Sequence, residues 1–335
     1  MARRIGKYTV ALDSRPVIIS SAAAVGTKEG DGPMAQYFDY IADDDLMESK
    51  TWEQAESLFQ KTAVQLALKK ARLAANEIDE IFAGDLLNQC IGSTFGLREF
   101  QMPMLGLFGA CSTMSLSLIT AATAVDSGAA RRAAAVTSSH FCSAERQFRF
   151  PLDYGGVRPP TSQWTVTGSG AAIVAASGSG PHIEAYTVGR AVDYKISDAN
   201  NMGAAMAPAA ADTITRYLED TGTKPADYDF IVTGDLGAVG SKLLFELMDA
   251  DKIDISKVHR DCGVMMFDMS RQDVHSGGSG CGCIASIFCS YFMQRLKEGS
   301  IKNILLCATG ALMSTTSSQQ GESIPGICHL LHIKG

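Results

Sequence analysis

The chain has 335 residues, enough for one large α/β body or two domains of ordinary size, either with a substantial core. Its 36 acidic against 29 basic side chains leave a formal charge of −7, which argues against a nucleic-acid surface and makes any anionic ligand depend on local cations. The nine cysteines are odd in number and form no C-x-x-C pair, which speaks for reduced thiols rather than a secreted disulfide framework.

In chain order, the opening MARRIGKYTV has no apolar stretch of the signal-peptide kind, and no later run reaches the length of a membrane span. A cytoplasmic protein is expected, with any membrane association peripheral. Thr51-Trp52-Glu53-Gln54 opens a helix through Leu73, with Ala55, Leu58, Ala63, Leu66 and Leu68 at helical spacing. IDEIFAGDLLNQ (78–89) reads as a strand running into Gly84-Asp85, and YDFIVTGDLGAVG (228–240) repeats that design. From Gly109 the chain gives Cys111, a small-residue helix, Ser127-Gly128 and the strand RAAAVTSSH (132–140). From Gly280 it gives Cys283, a second helix, Glu298-Gly299 and the strand NILLCATGAL (303–312). Cys111 and Cys283 stand 172 positions apart, as do Thr137 and Thr309. Such a register implies an internal duplication of a β-α-β unit, with central helices starting at Cys111 and near Cys283. Their Ala, Ser, Gly and Cys residues suit two backbones in close approach between sheets.

A cysteine at a helix start after Gly-Ala, in a duplicated α/β chain, resembles the thiolase superfamily. That resemblance implies a five-layered α-β-α-β-α fold with two pseudo-equivalent halves, here 1–180 and 181–335. The segments AGDLLNQ, GACST, SSHFCSAERQFRFPLDYG, NNMGAAMAPAAADT, GGSGCGC and SIPGICH further resemble the stage V sporulation protein AD family of spore-forming bacteria. This second resemblance implies a protein that binds dipicolinic acid, or its calcium chelate, and takes part in its uptake into the developing spore. It also implies integral membrane SpoVA proteins as partners, attachment to the forespore or spore inner membrane, and no resident cofactor or metal. A homodimer across a sheet edge is expected from the thiolase-like fold.

Two functions stay open. A condensing acyltransferase needs a base and an oxyanion site beside Cys111. The segments HRDCGVMMF (259–267) and GGSGCGC (277–283) carry neither the H-x-x-A-N nor the G-N-T-S pattern of such enzymes. VHSGGSGCG (274–282) and LCATGA (306–311) offer His275 and Cys307 only at altered spacing. If the chain is an enzyme, Cys111, His275 and Cys307 are its catalytic candidates. A binding protein would instead hold a flat dianion with residues around the same pocket: Asn88, Cys111, Ser139, His140, Arg146, Arg149, His275 and Ser279. The stretch 137–155 supplies His140, Arg146 and Arg149 among Phe148, Phe150 and Tyr154, pairing guanidinium forks with aromatic faces. The competing reading of these arginines is a structural pair with Glu145 or Glu99. Cys90, Cys142, Cys262, Cys281, Cys289 and Cys328 read as buried small hydrophobes, and so does Cys307 if there is no catalysis. GGSGCG lacks the lysine of a phosphate-cradling loop.

Overall fold

The structure, a computed structural model, describes residues 2–148 and 158–335. Two five-stranded arrays share one design. The first runs Met104–Gly106, Glu80–Gly84, Arg132–Ser139, Gly168–Ala175, Val17–Val25, and the second runs His259–Asp261, Phe230–Thr233, Asn303–Ala311, Gly326–Lys334, His182–Thr187. In the first array the three leading strands are parallel and the last two antiparallel to their neighbours. The second array repeats that order of directions. The pairing of His182 with Val17 joins the arrays edge to edge. Strands such as Arg132–Ser139 are buried on both faces, which explains continuous small and apolar runs where a one-sided strand would alternate.

Five layers follow. The helix Trp52–Ala71, capped by the Thr51 side chain, covers the outer face of the first array. The helix Met202–Thr221 covers the second array, with Gly237–Ala250 packed against it. Between the arrays lie Thr113–Asp126 and the helical run Cys281–Lys297, the former touching strands of both. Close approach is required here: a Cβ on Gly170 would stand 2.2 Å from the Ala285 carbonyl oxygen. The thiolase-like α-β-α-β-α architecture with two like halves is therefore present.

Two details depart from the sequence reading. The first central helix begins at Thr113 rather than Cys111, because Ala110 takes a left-handed φ of 50° and turns the chain just before it. The second begins at Cys281, two residues ahead of Cys283, so the 172-residue register holds for the strands but not for the helix starts. The strand Arg132–Ser139 leads into the helix Phe141–Phe148.

Candidate functional site

The turn that carries Cys111 is fixed from both halves. Ser112 Oγ donates to the Gly109 carbonyl at 2.6 Å, and Thr113 Oγ1 donates to the Ala110 carbonyl at 2.6 Å. Gly310, at the end of the second half's central strand, fits against this turn so closely that a Cβ there would lie 3.2 Å from the Cys111 nitrogen. Cys111 thus faces a pocket with about 540 Å³ of space free of protein atoms, part of it open to solvent. Thr165 and Ser279 line the pocket beside it, with Phe108, Phe148, Met202 and Met313 among its apolar walls. An apolar cleft with a few convergent polar groups is the usual form of a small-molecule site.

The chemistry beside the thiol is set by Asp235, the aspartate of the second Gly-Asp-Leu triplet. Its Oδ2 accepts from Ser279 Oγ and from the Gly280 N–H, each at 3.0 Å, and its Oδ1 accepts from Thr309 Oγ1 at 2.8 Å. Burial pushes its carboxyl up to about 6, and hydrogen bonds from Cys111, Thr309 and Gly280 oppose that rise. Burial first, and then this carboxylate, hold the Cys111 thiol well above the ordinary cysteine range. The donors at the second central helix start, Ser279 and Gly280, are engaged by a side chain of the protein itself. An oxyanion hole needs such donors aimed at the reacting oxygen.

A second acidic group lies beside Leu86 and Ala144, which line the same pocket. Asp85, of the first Gly-Asp-Leu triplet, accepts from the Ser93 N–H at 2.7 Å, from Ser93 Oγ at 2.6 Å and from the Leu87 N–H at 2.9 Å. Glu56 accepts from Ser138 Oγ at 3.1 Å and from Ser143 Oγ at 2.7 Å. Burial, reinforced by Asp85, pushes its carboxyl up to about 8.

Of the residues singled out from sequence, the structure brings Cys111 and Ser279 together, their Sγ and Oγ 4.0 Å apart. Asn88 lies in an adjoining groove and accepts from Gln147 Nε2 at 3.1 Å. Ser139 donates to the Val166 carbonyl at 2.7 Å and accepts from the Gly282 N–H at 3.1 Å, so it ties the first half's strand end to the second central helix. His140 is buried with its Nε2 2.8 Å from the Asp45 carbonyl. Arg146 is turned outward by the helix Phe141–Phe148 and pairs with Glu53, beside the Trp52 ring. His275 faces Asp273 at 3.3 Å. Cys307 is buried in the second half's core among Leu305, Leu330 and Cys328, away from the Cys111 pocket. Arg149, Phe150 and Tyr154 lie outside the described residues. No lysine, arginine or histidine is among the described residues of the pocket wall, whereas Glu145 is. Asp235, Thr309 and Gly310 are not among the site residues read from the sequence, although the repeated Gly-Asp-Leu triplet and the Thr137/Thr309 register point at them.

All nine cysteines are free. No helix among the described residues is long and apolar enough to cross a membrane.

Comparison with solved structures places the architecture among condensing enzymes and thiolases. The 3-oxoacyl-[acyl-carrier-protein] synthase III of Aquifex aeolicus VF5 superposes with a TM-score of 0.59 at 13% identity, over 96% of this chain and 100% of that one. The Acat5 thiolase of Ascaris suum, solved with coenzyme A, gives 0.60 at 11% identity over 96% and 99%. At such identities the likeness is one of fold. In sequence, the Stage V sporulation protein AD of Bacillus subtilis (strain 168) is 43% identical over 325 residues, covering 97% of this chain and 96% of that protein. The family model for Stage V sporulation protein AD matches residues 6–334, and by both comparisons the chain belongs to that family.

Proposed function

We propose that the chain binds dipicolinic acid, free or as its calcium chelate, in the Cys111 pocket and takes part in its uptake into the developing spore. Integral membrane SpoVA proteins are the proposed partners, and contact with them holds the protein at the forespore or spore inner membrane. The observation that carries binding over acyl transfer is Asp235. A condensing cysteine is activated by a base and faces open oxyanion donors. Here the thiol faces a carboxylate, and that carboxylate occupies the donors at Ser279 and Gly280. Aromatic and thioether walls from Phe108, Phe148, Met202 and Met313 suit a flat ring.

A dianion in this pocket needs its charge matched. In this reading chelated calcium does so, leaving a neutral complex, or, for the free acid, Arg149 meets one of the two carboxylates. The proposed dimer forms through the edge strand Met104–Gly106, where Leu105 is 48% exposed and Phe108 51%, with Ile91 and Phe95 exposed nearby. An unpaired strand edge flanked by exposed large apolar side chains is a natural pairing surface.

Titration calorimetry with dipicolinate, with and without calcium, and intact-mass measurement after incubation with acyl-CoA test this reading. Saturable binding without an adduct is expected. Arg149→Ala should cost roughly 2–4 kcal/mol for the free acid if its guanidinium forks a carboxylate. An acyl adduct on Cys111 with turnover would establish the acyltransferase instead, and absence of binding in both titrations would remove dipicolinate as the ligand.

A further inference from the structure

The ribbon behind the pocket carries a feature that the pocket does not use. Trp164–Thr165 pairs in parallel with Gly278–Ser279. Successive side chains of an extended strand point to opposite faces, so Thr165 lines the pocket while Trp164 faces away from it. Phe141 stacks on the Trp164 ring at 3.7 Å between centroids and 6° between planes. Lys28 Nζ stands 3.8 Å from the centre of the Trp164 ring, and the Arg158 guanidinium carbon stands 4.6 Å from it.

Two cations converge on this ring from segments far apart in sequence, and neither is fully satisfied. Lys28 Nζ has no hydrogen bond or ion pair among the described residues. Arg158 Nη2 donates to the Asp273 carbonyl at 3.0 Å and lies 3.5 Å from that residue's carboxylate. Its Nη1 is buried with no hydrogen-bond partner among the described residues. A buried donor left unpaired, above all on a charged group, is costly. The acids nearby are committed elsewhere. Glu29 turns inward and accepts from the Thr167 N–H at 2.9 Å, and Asp45 accepts from the Thr27 N–H at 2.9 Å. Asp273 is shared with His275, and its side chain is 77% exposed, where water and salt weaken its hold. Burial, and then the Arg158 charge, lower the Lys28 pKa, in keeping with two like charges held together.

We propose that Lys28 and Arg158 form a second binding site, for a small oxyanion presenting phosphate or carboxylate oxygens, on the far side of the ribbon from the Cys111 pocket. One oxygen of such an ion takes the ammonium of Lys28 and another takes Arg158 Nη1, relieving both the repulsion and the unpaired donor. The Lys28 side chain, held by no hydrogen bond, is the part that yields to admit it. This site is independent of the dipicolinate reading.

The chain has two tryptophans, Trp52 and Trp164, so Trp52→Phe leaves Trp164 as the sole reporter in the full-length protein. Its emission is followed during titration with inorganic phosphate and, separately, with phthalate, at constant ionic strength made up with chloride. A saturable change with either ion is expected, and whichever binds tighter tells phosphate from dicarboxylate chemistry. Lys28→Ala and Arg158→Gln should each weaken it about tenfold, and Asp273→Asn, which frees Arg158, should strengthen it. Lys28→Ala removes no hydrogen bond, so it remains a fair test if the arginine variant folds poorly. No saturable change into the millimolar range, or an unaltered change in the Lys28→Ala/Arg158→Gln double variant, would overturn the assignment.

Discussion

A thiol becomes a nucleophile by losing its proton, and the surroundings of Cys111 hold that proton in place. Alkylation by iodoacetamide near neutral pH, read by intact mass, should therefore be slow at Cys111. Asp235→Asn, which removes the adjacent negative charge and keeps the shape, should speed it by at least about tenfold, the effect of one pKa unit; an unchanged rate would mean that burial alone protects the sulfur. Glu29 makes the second residue-scale case. It is fully buried, and burial pushes its carboxyl from an ordinary 4.5 up to about 8. A raised folded-state value means that the native protein holds this proton more tightly than the unfolded chain, so the stabilisation is complete below about pH 4.5 and is lost as pH rises toward about 8. Glu29→Gln, a mimic of the protonated form, should be close to neutral near pH 5 and stabilising by a few kcal/mol at about pH 8 in urea unfolding. Equal effects at both pH values would contradict a buried proton on this side chain. Cys111 and Ser279 were legible in the sequence because small residues and glycines mark a helix start. Arg146 was misplaced because its direction is decided by the helical phase of Phe141–Phe148, which turns it to Glu53 on another helix.

At the scale of elements, the duplication was readable because strand and helix follow each other twice in the same order. What the repeat could not reveal is where each helix begins, since one turned residue, Ala110, shifts the first start past Cys111. Nor could it show that Asp235 reaches the thiol, because that contact joins the end of one half's strand to the helix start of the other. The close approach that the structure displays in the central layer is of a strand to a helix, at Gly170 against Ala285. Gly170 tests that contact: a methyl group there meets the Ala285 backbone at 2.2 Å, and backbone cannot swing aside as a side chain can. Gly170→Ala is expected to separate strand Gly168–Ala175 from the second central helix and to destabilise by about 1–3 kcal/mol. A denaturation midpoint equal to that of the unsubstituted protein would show that the two layers are not in tight contact.

For the whole molecule, the edge strand Met104–Gly106 is the prominent open boundary of the first array, whereas its counterpart His259–Asp261 has two of its three residues buried. If two copies pair along the former, Leu105→Asp should convert a dimer to a monomer in sedimentation without changing the circular dichroism spectrum. A monomeric unsubstituted protein at micromolar concentration would dispose of that assembly. The duplication also built two comparable helix starts, and the fates of their aspartates differ. Asp235 is spent on the start at Gly280, and Cys283 beyond it is fully enclosed, its thiol donating toward the Gly234 carbonyl at 3.6 Å. Asp85 folds back onto Ser93 and leaves the start beside Cys111 facing its pocket. The stoichiometry of the pocket follows from this: despite two homologous halves, each chain should take a single equivalent of ligand there, and in the Lys28→Ala/Arg158→Gln double variant, where the second oxyanion site is removed, that equivalent should account for the whole of a simple hyperbolic isotherm.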